Sequence, residues 1–424
     1  MDLIIEGRAF YKGKLQPVCV GIDEGKIVTV KKVLAGENRI DFKDKLILPG
    51  AIDVHVHLRD PGMTQKEDFG TGTLAAACGG VTTVFDMPNT NPPTLMVEDI
   101  ENKRDNASSK AWVDFGLFAG VDARHDPTRL DVHAVGYKIF MGSSTGSLLM
   151  TKDSDIEGAL HKISTTGKVV SVHAEDDGYI VRTPEKGLRE HNRNRPSYAE
   201  VSAISRLSKV QGSARINVCH VTSREAMAAL EGTGFTKEAT VHHMLLDDSM
   251  PLGGQGKVNP PLRTKDDRLA ILDAFVKGKI DMLASDHAPH GHDEKSGDFD
   301  AAPSGVPGVE TSVPILMAMV KRGQVPLERL VTAACQRPAE IFGLPKGVIE
   351  IGMDADLMVV DPKNVTQVKS KNLHSKCGWT PYEGFEAIFP IAVFLRGMEL
   401  VESNSLVGER KGRDVVVAGR SGRP

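Results

Sequence analysis

The middle of the chain alternates short apolar runs with longer stretches of helical periodicity. Eight of these runs are rich in β-branched residues and read as buried strands. They cover residues 52–58, 81–87, 113–118, 135–140, 169–173, 216–221, 240–245 and 281–286. Strands that alternate with helices are typical of βα units, and eight of them favour a closed (β/α)8 TIM barrel over an open doubly wound sheet.

The helix that follows the first strand illustrates the local signals. Residues 66–78 have a helical pattern, and Thr64 with Glu67 three residues later predicts a capping box at its start. The pair Gly79 and Gly80 predicts its end. Further along, the glycine-rich, charged segment 291–308 predicts a long functional loop.

Both ends of the chain are strand-like. Short apolar runs with turns fill residues 1–48, and similar runs return at 356–361, 391–396 and 415–417. Each piece alone would bury little, so we expect the two to pair into one small β-sandwich. The predicted domains are therefore a composite β-sandwich, residues 1–48 and 349–424, and a barrel, residues 49–348.

Composition is that of a soluble globular protein and argues against several partner classes. Of its 424 residues, 40% are hydrophobic and 25% charged, and the net charge of −4 gives no reason to expect nucleic acid or an anionic membrane. The first residues are acidic and lead into a strand, unlike a signal peptide. Five scattered cysteines without a CxxC motif favour a reducing compartment, so we expect a cytoplasmic protein.

The first barrel strand ends in two histidines. His55 and His57 lie two residues apart, so both side chains point to the same side of the strand. Two imidazoles at one strand end can chelate a cation such as zinc. The alternative is a pair of histidines held by hydrogen bonds within the core.

Other strand ends carry the same chemistry. Barrel enzymes build their active site where the strands end at their carboxyl termini. The metal-capable residues at or near these ends are His55, His57, Lys138, His173, His220 and Asp286. Five of the eight strands thus converge on one face with nitrogen and oxygen ligands.

Lys138 is the unusual member, because an unpaired ammonium is almost never fully buried. One interpretation is an interior ion pair with Glu175 or Asp286. The other is an amine deprotonated by its surroundings that has reacted with CO₂. The resulting carbamate carries one negative charge on two oxygens and could bridge two metals.

With these residues the chain resembles the cyclic amidohydrolases of the amidohydrolase superfamily, and among them the lysine-bearing dihydroorotases. The resemblance covers nearly the whole length. Its motifs are HLRDPG at 57–62, DMPNT at 86–90, SDHAPH at 285–290, AAPSG at 301–305 and GVET at 308–311.

The resemblance implies two Zn²⁺ per chain, bridged by carboxylated Lys138 and a hydroxide. One zinc would be held by His55, His57 and Asp286, and the other by His173 and His220. Asp286 would also be the catalytic proton carrier. The implied reaction is the reversible cyclisation of N-carbamoyl-L-aspartate to (S)-dihydroorotate and water, the third step of de novo pyrimidine (UMP) biosynthesis.

Four further residues are predicted to contact the substrate. Arg59 suits a bidentate grip on a ring carboxylate, the alternative being a surface arginine. The others are Asn89, Asn259 and His290. In contrast, His287 should face away from Asp286, Cys219 should point outward as core packing, and the pair His242 and His243 has no assigned role.

Two other interpretations stay open at this point. A related ring-opening amidase, such as an allantoinase or hydantoinase, would share the metals but give no reason for Arg59. A non-catalytic scaffold for a partner enzyme would be expected to lose metal ligands, which this chain keeps. The sequence also leaves open whether the chain forms a homo-oligomer and whether it associates with aspartate transcarbamoylase.

Overall fold

The computed structural model describes residues 1–143, 148–403 and 405–421. The strands are β1 (Leu3–Tyr11), β2 (Lys14–Asp23), β3 (Lys26–Lys31), β4 (Arg39–Pro49), β5 (Ala51–Val56), β6 (Val81–Asp86), β7 (Asp114–Gly120), β8 (Gly136–Phe140), β9 (Val169–His173), β10 (Arg215–Val218), β11 (Thr236–Thr240), β12 (Met282–Ala284), β13 (Leu357–Val360), β14 (Thr366–Gln367), β15 (Glu386–Ala387), β16 (Pro390–Leu395), β17 (Met398–Glu402) and β18 (Ser405–Leu406). The helices are α1 (Phe69–Cys78), α2 (Val97–Lys110), α3 (Asp153–Ser164), α4 (Leu188–Asn194), α5 (Ser197–Val210), α6 (Arg224–Ala229), α7 (Val241–Leu245), α8 (Lys265–Val276), α9 (His292–Ser296), α10 (Ser312–Lys321), α11 (Leu327–Val331), α12 (Arg337–Phe342) and α13 (Val415–Ser421).

Strands β5 to β12 form one parallel sheet in sequence order, as the eight-strand prediction required. Every residue of β5 and β6 is buried, as is typical of strands in a parallel barrel that is covered on both faces. The sheet closes where the His57 amide donates to the His287 carbonyl at 2.7 Å. Asp53 Oδ1 joins the same two edges by accepting from the amides of His55 and Ser285. The predicted barrel is confirmed.

A second sheet combines both ends of the chain in the order β18-β17-β16-β13-β4-β1-β2-β3. It curls on itself, because Ile27 in β3 hydrogen-bonds to Met353, just before β13, although three strands separate β3 from β13 in the sheet. The curled sheet encloses its own apolar core, which includes Ile5, Val20 and Phe394. This is the predicted small β-sandwich from both termini, built from one sheet that folds over its own core.

Side chains on opposite faces of β4 pack into different cores and so join the curled sheet to the barrel. Ile47 points into the core of the curled sheet, whereas Leu46 and Leu48 join the core of the barrel. A buried ion pair adds to this contact, because Lys346 Nζ lies 2.7 Å from carboxylates of both Asp114 in the barrel strand β7 and Asp356. In the described part of the chain no helix is long and apolar enough to span a bilayer.

Two predicted helix and strand boundaries are wrong. The first helix begins at Phe69 and not at residue 66, because Asp68 is its N-cap and accepts from the Thr71 amide. Its predicted end is right: Gly79 is the C-cap. The seventh strand is Thr236–Thr240, and residues 241–245 form the helix α7, which Thr240 caps. A short apolar run does not by itself distinguish strand from helix.

The C-terminal prediction also needs correction. The run 415–417, expected as a strand, begins the helix α13, and Asp414 Oδ1 accepts from the Val416 amide. Residues 422–424 of the predicted sandwich domain lie outside the described residues. The expected loop 291–308 contains the short helix α9, which Glu294 caps by accepting from the Gly291 amide.

Candidate active site and metal centre

His55 in β5 and His57 just after it lie beside Asp286, which follows β12 on the other side of the barrel closure. His55 Nε2 is 3.4 Å and His57 Nε2 is 3.2 Å from Asp286 Oδ1. All three residues are buried, and their donor atoms lie close enough together to hold one cation. The first predicted ligand group is therefore assembled in one place.

The second group lies beside the first. His173 Nδ1 is 3.1 Å from His220 Nε2, and the rings of His55 and His220 are 5.3 Å apart. Buried Lys138 places its Nζ 3.5 Å from His55 Nε2 and lines the same cavity as His173 and His220. The structure thus brings all six predicted ligands to one end of the barrel.

Lys138 is not in the ion pair considered as an alternative. Among the described residues, no carboxylate oxygen lies within 4.0 Å of its Nζ. Glu175 instead binds His173 Nε2 and the guanidinium of Arg195. The nearest polar atom to the amine is the Cys219 sulfur, at 3.0 Å.

Cys219 therefore points into the barrel, and the expectation that it would point outward is wrong. Strand alternation fails here because His220 has a positive φ of 34°. The same left-handed conformation occurs at Arg59 (φ 60°) and Asp286 (φ 46°). Strained residues of this kind persist where the surrounding structure holds them, and they concentrate at functional sites.

Three of the histidines are held by a polar side chain at one ring nitrogen, which leaves the other nitrogen toward the site. His55 Nδ1 lies 3.0 Å from Glu238, His57 Nδ1 2.7 Å from Asn89 Oδ1, and His173 Nε2 2.7 Å from Glu175. Such partners commonly fix the tautomer and orientation of metal-binding histidines.

Two of these partners, Glu238 and Glu175, were not predicted. Glu238 lies in the polar strand Thr236–Thr240, which was placed too late in the chain to include it. Glu175 lies two residues after His173 and so shares its side of the chain.

The donor chemistry fits a divalent metal. Burial lowers the pKa of His55 to about 3 and that of His57 to about 4, so both rings are neutral. With Nδ1 donating to Glu238 and Asn89, the Nε2 lone pairs face Asp286. Acceptors facing a carboxylate repel each other unless a cation lies between them.

A cavity opens above these ligands. It is lined by His55, His57, Arg59, Asn89, Lys138, Phe140, His173, His220, Asn259, Asp286, Ala288, Ser304 and Gly305. Asn259 and Ser304 also line a neighbouring cleft of about 450 Å³ that opens to solvent. Three of the four predicted substrate residues thus reach the cavity.

Arg59 is a buried charged residue that lines the cavity. It is only 2% exposed, so the alternative of a surface arginine is wrong. Its Nε contacts the Pro289 carbonyl at 3.3 Å, and no carboxylate of a described residue lies within 4.0 Å of its guanidinium. A buried guanidinium without an acid partner is suited to an anionic ligand.

Four other histidines near the site do not line the cavity. His290 does not line the cavity but lies behind Arg59, with its Nε2 3.2 Å from Arg59 Nη2. His287 faces away from Asp286, as expected, and its Nδ1 accepts from the Gly308 amide. His243 contacts Thr240 and Pro260, whereas neither ring nitrogen of buried His242 has a hydrogen-bond partner among the described residues.

Comparisons with known proteins agree with this geometry. The model of the Amidohydrolase family matches residues 46–377. A dihydroorotase of Methanosarcina mazei is 40% identical, over 97% of this chain and 96% of that protein. The dihydroorotase of Thermoplasma acidophilum is 39% identical, over 95% of each.

Solved structures share the whole architecture. The L-hydantoinase (dihydropyrimidinase) of Arthrobacter aurescens has a TM-score of 0.92 at 27% identity, with 98% of this chain and 99% of that one covered. The dihydropyrimidinase of Brevibacillus agri has a TM-score of 0.89 at 27% identity, with 98% of each covered. The higher sequence identity lies with the dihydroorotases. The chain belongs to the amidohydrolase family of metal-dependent hydrolases, within its group of dihydroorotases.

Proposed function

We propose that the chain interconverts N-carbamoyl-L-aspartate and (S)-dihydroorotate, closing or opening a cyclic amide. The observation that carries this proposal is Arg59, a buried guanidinium at the cavity without an acid partner in the described structure. Dihydroorotate carries a carboxylate beside its ring, whereas a plain hydantoin or dihydropyrimidine carries none. An arginine in this place matches the acidic substrate.

Two Zn²⁺ ions per chain fit the donor set. His55, His57 and Asp286 would hold one and His173 with His220 the other, and Lys138, carboxylated on Nζ, would bridge them. When bound, the pair supplies an activated water and polarises the ring amide. The surroundings of Lys138 support this assignment, because its amine is fully buried without a carboxylate within 4.0 Å among the described residues.

Asp286 is the proposed proton carrier. Its carboxylate lies at the cavity and stays ionised, so it can accept a proton there and pass it to the ring nitrogen that leaves on opening. Asn89 and Asn259 line the same cavity and would position the ring with Arg59. His290 would act at the carboxylate end of the site.

The two large sheets support a division into two domains. Strands of the curled sheet lie before residue 50 and after residue 356, and the barrel strands lie between them. We therefore assign residues 1–48 and 349–424 to one domain and residues 49–348, which hold every proposed ligand, to the other.

Metal analysis tests the proposed centre. Protein purified without chelator is expected to contain close to two zinc equivalents per chain, because six donors form two adjacent groups. Elemental analysis by plasma mass spectrometry gives the count. An active protein with almost no bound metal would contradict the proposal.

Arg59→Met tests the substrate. Truncating one partner of a desolvated charge pair costs about 2–5 kcal/mol. At about 1.4 kcal/mol per factor of ten, kcat/KM for dihydroorotate should fall roughly 30- to 4,000-fold. Neutral dihydrouracil should lose little, so the ratio of the two kcat/KM values is the decisive measurement.

Lys257→Met is the matched control for this experiment. Lys257 is a buried cation in the neighbouring cleft, but Glu185 already neutralises it at 3.2 Å. Its loss should change both substrates alike. If Arg59→Met also lowers both alike, Arg59 supports the site structurally, and the hydantoinase-like alternative, which shares this fold, gains support.

A further inference from the structure

Three polar side chains in contact, those of Lys66, His290 and Arg59, lead from the protein surface to the cavity. Lys66, in the loop before α1, places its Nζ 3.0 Å from Nδ1 of His290. On the other side of that ring, Nε2 lies 3.2 Å from Arg59 Nη2 and 3.0 Å from the Ser304 carbonyl oxygen. His290 is buried, so these contacts determine its protonation.

The contact with Lys66 determines which ring nitrogen carries the proton. An ammonium group can only donate, so Nδ1 of His290 must accept and the proton must lie on Nε2. That proton then has an acceptor in the Ser304 carbonyl. Burial, followed by the charge of Arg59, lowers the pKa of His290 to about 2, which agrees with a neutral ring.

This tautomer has a consequence for Arg59. With a proton on Nε2, His290 cannot accept a hydrogen bond from the neighbouring guanidinium. Arg59 Nη2 then keeps its N–H groups for the cavity. In the other tautomer Nε2 would be an acceptor 3.2 Å from Nη2 and would compete with a ligand for the same donor.

We propose that Lys66 is a positioning residue of the carboxylate subsite. It holds His290 in the Nε2-protonated form and thereby leaves Arg59 free to bind the carboxylate of the substrate. This inference rests on the proposed function only for the identity of the carboxylate ligand. The tautomer itself follows from the contacts of Lys66, His290 and Ser304.

A merely structural role for Lys66 makes a different prediction. Lys66 Nζ also lies 2.7 Å from Glu294 Oε1, which ties the loop before α1 to α9. Glu294→Gln weakens this tie but leaves Lys66 free to donate to His290. The variant is therefore a matched control that separates loop attachment from control of the tautomer.

The first experiment compares substrates. Lys66→Met should lower the ratio of kcat/KM for dihydroorotate to that for dihydrouracil by roughly 10- to 150-fold, the value of one charge-assisted hydrogen bond. The change should appear mainly in KM. Lys66→Arg should restore most of the ratio, and Glu294→Gln should change it less than threefold. An unchanged ratio in Lys66→Met, or an equal loss in Glu294→Gln, would overturn the proposal.

The second experiment does not depend on activity. Nitrogen-15 NMR of the ¹⁵N-histidine-labelled protein, with His290→Asn used for assignment, should show His290 Nδ1 as the unprotonated nitrogen. A protonated Nδ1 would refute the role of Lys66. If instead the wild type opens only neutral rings while His290 has the expected tautomer, the proposed function and the carboxylate subsite fail, and only the tautomer of His290 stands.

Discussion

Lys138→Ala is expected to reduce turnover of dihydroorotate by more than about 100-fold and to weaken retention of metal. Loss of a residue that only supports a metal ligand typically costs 10- to 100-fold, and a bridging ligand should cost more. The amine lies within 3.5 Å of the first histidine group, so its removal leaves a gap between the two groups.

Chemical rescue makes this test specific. Short carboxylic acids such as acetate or propionate can occupy the gap and restore part of the activity and of the bound zinc. Mass spectrometry of the intact wild-type protein under non-denaturing conditions should also show the added CO₂. Near wild-type activity in Lys138→Ala would exclude the bridge.

Asp286→Asn should lower turnover by at least about 10²- to 10⁴-fold, the usual value of general acid–base catalysis. The amide keeps the shape of the side chain but cannot carry the proton. Loss of the negative charge next to His55 and His57 should also weaken zinc binding, so the zinc content must be measured with the rate.

Asp53→Asn is the matched control for Asp286→Asn. Asp53 is another buried carboxyl group of the barrel, and burial raises its pKa to about 6. An asparagine oxygen can still accept from the amides of His55 and Ser285. This variant should keep most of the activity. If turnover of Asp286→Asn falls less than tenfold with zinc retained, another group moves the proton.

Local patterns were sufficient for most of the architecture. Buried parallel strands are apolar on both faces, so the barrel strands could be recognised one at a time. The pattern failed at 241–245 and 415–417, where a side chain just before the segment caps a helix. Capping depends on where one side chain points, which hydrophobicity does not report.

The candidate site, too, was predictable only in part. Residues at strand ends were predictable, because every carboxyl end of a parallel barrel faces the same side. The orientation of Cys219 was not predictable, since the positive φ of His220 reverses the expected alternation. Nor was the contact between Glu238 and His55 predictable, because the two residues lie 183 positions apart in the chain.

The sequence by itself determined the barrel, the β-layer from both termini, and the set of four histidines, one lysine and one aspartate. These follow from periodicity and residue type, which are local properties. Only the tertiary structure decided which imidazole nitrogens face the metal site, that Arg59 has no described acid partner within reach, and that Lys66 contacts His290. Such properties arise from contacts between segments far apart in the chain, where burial and hydrogen-bond geometry act together.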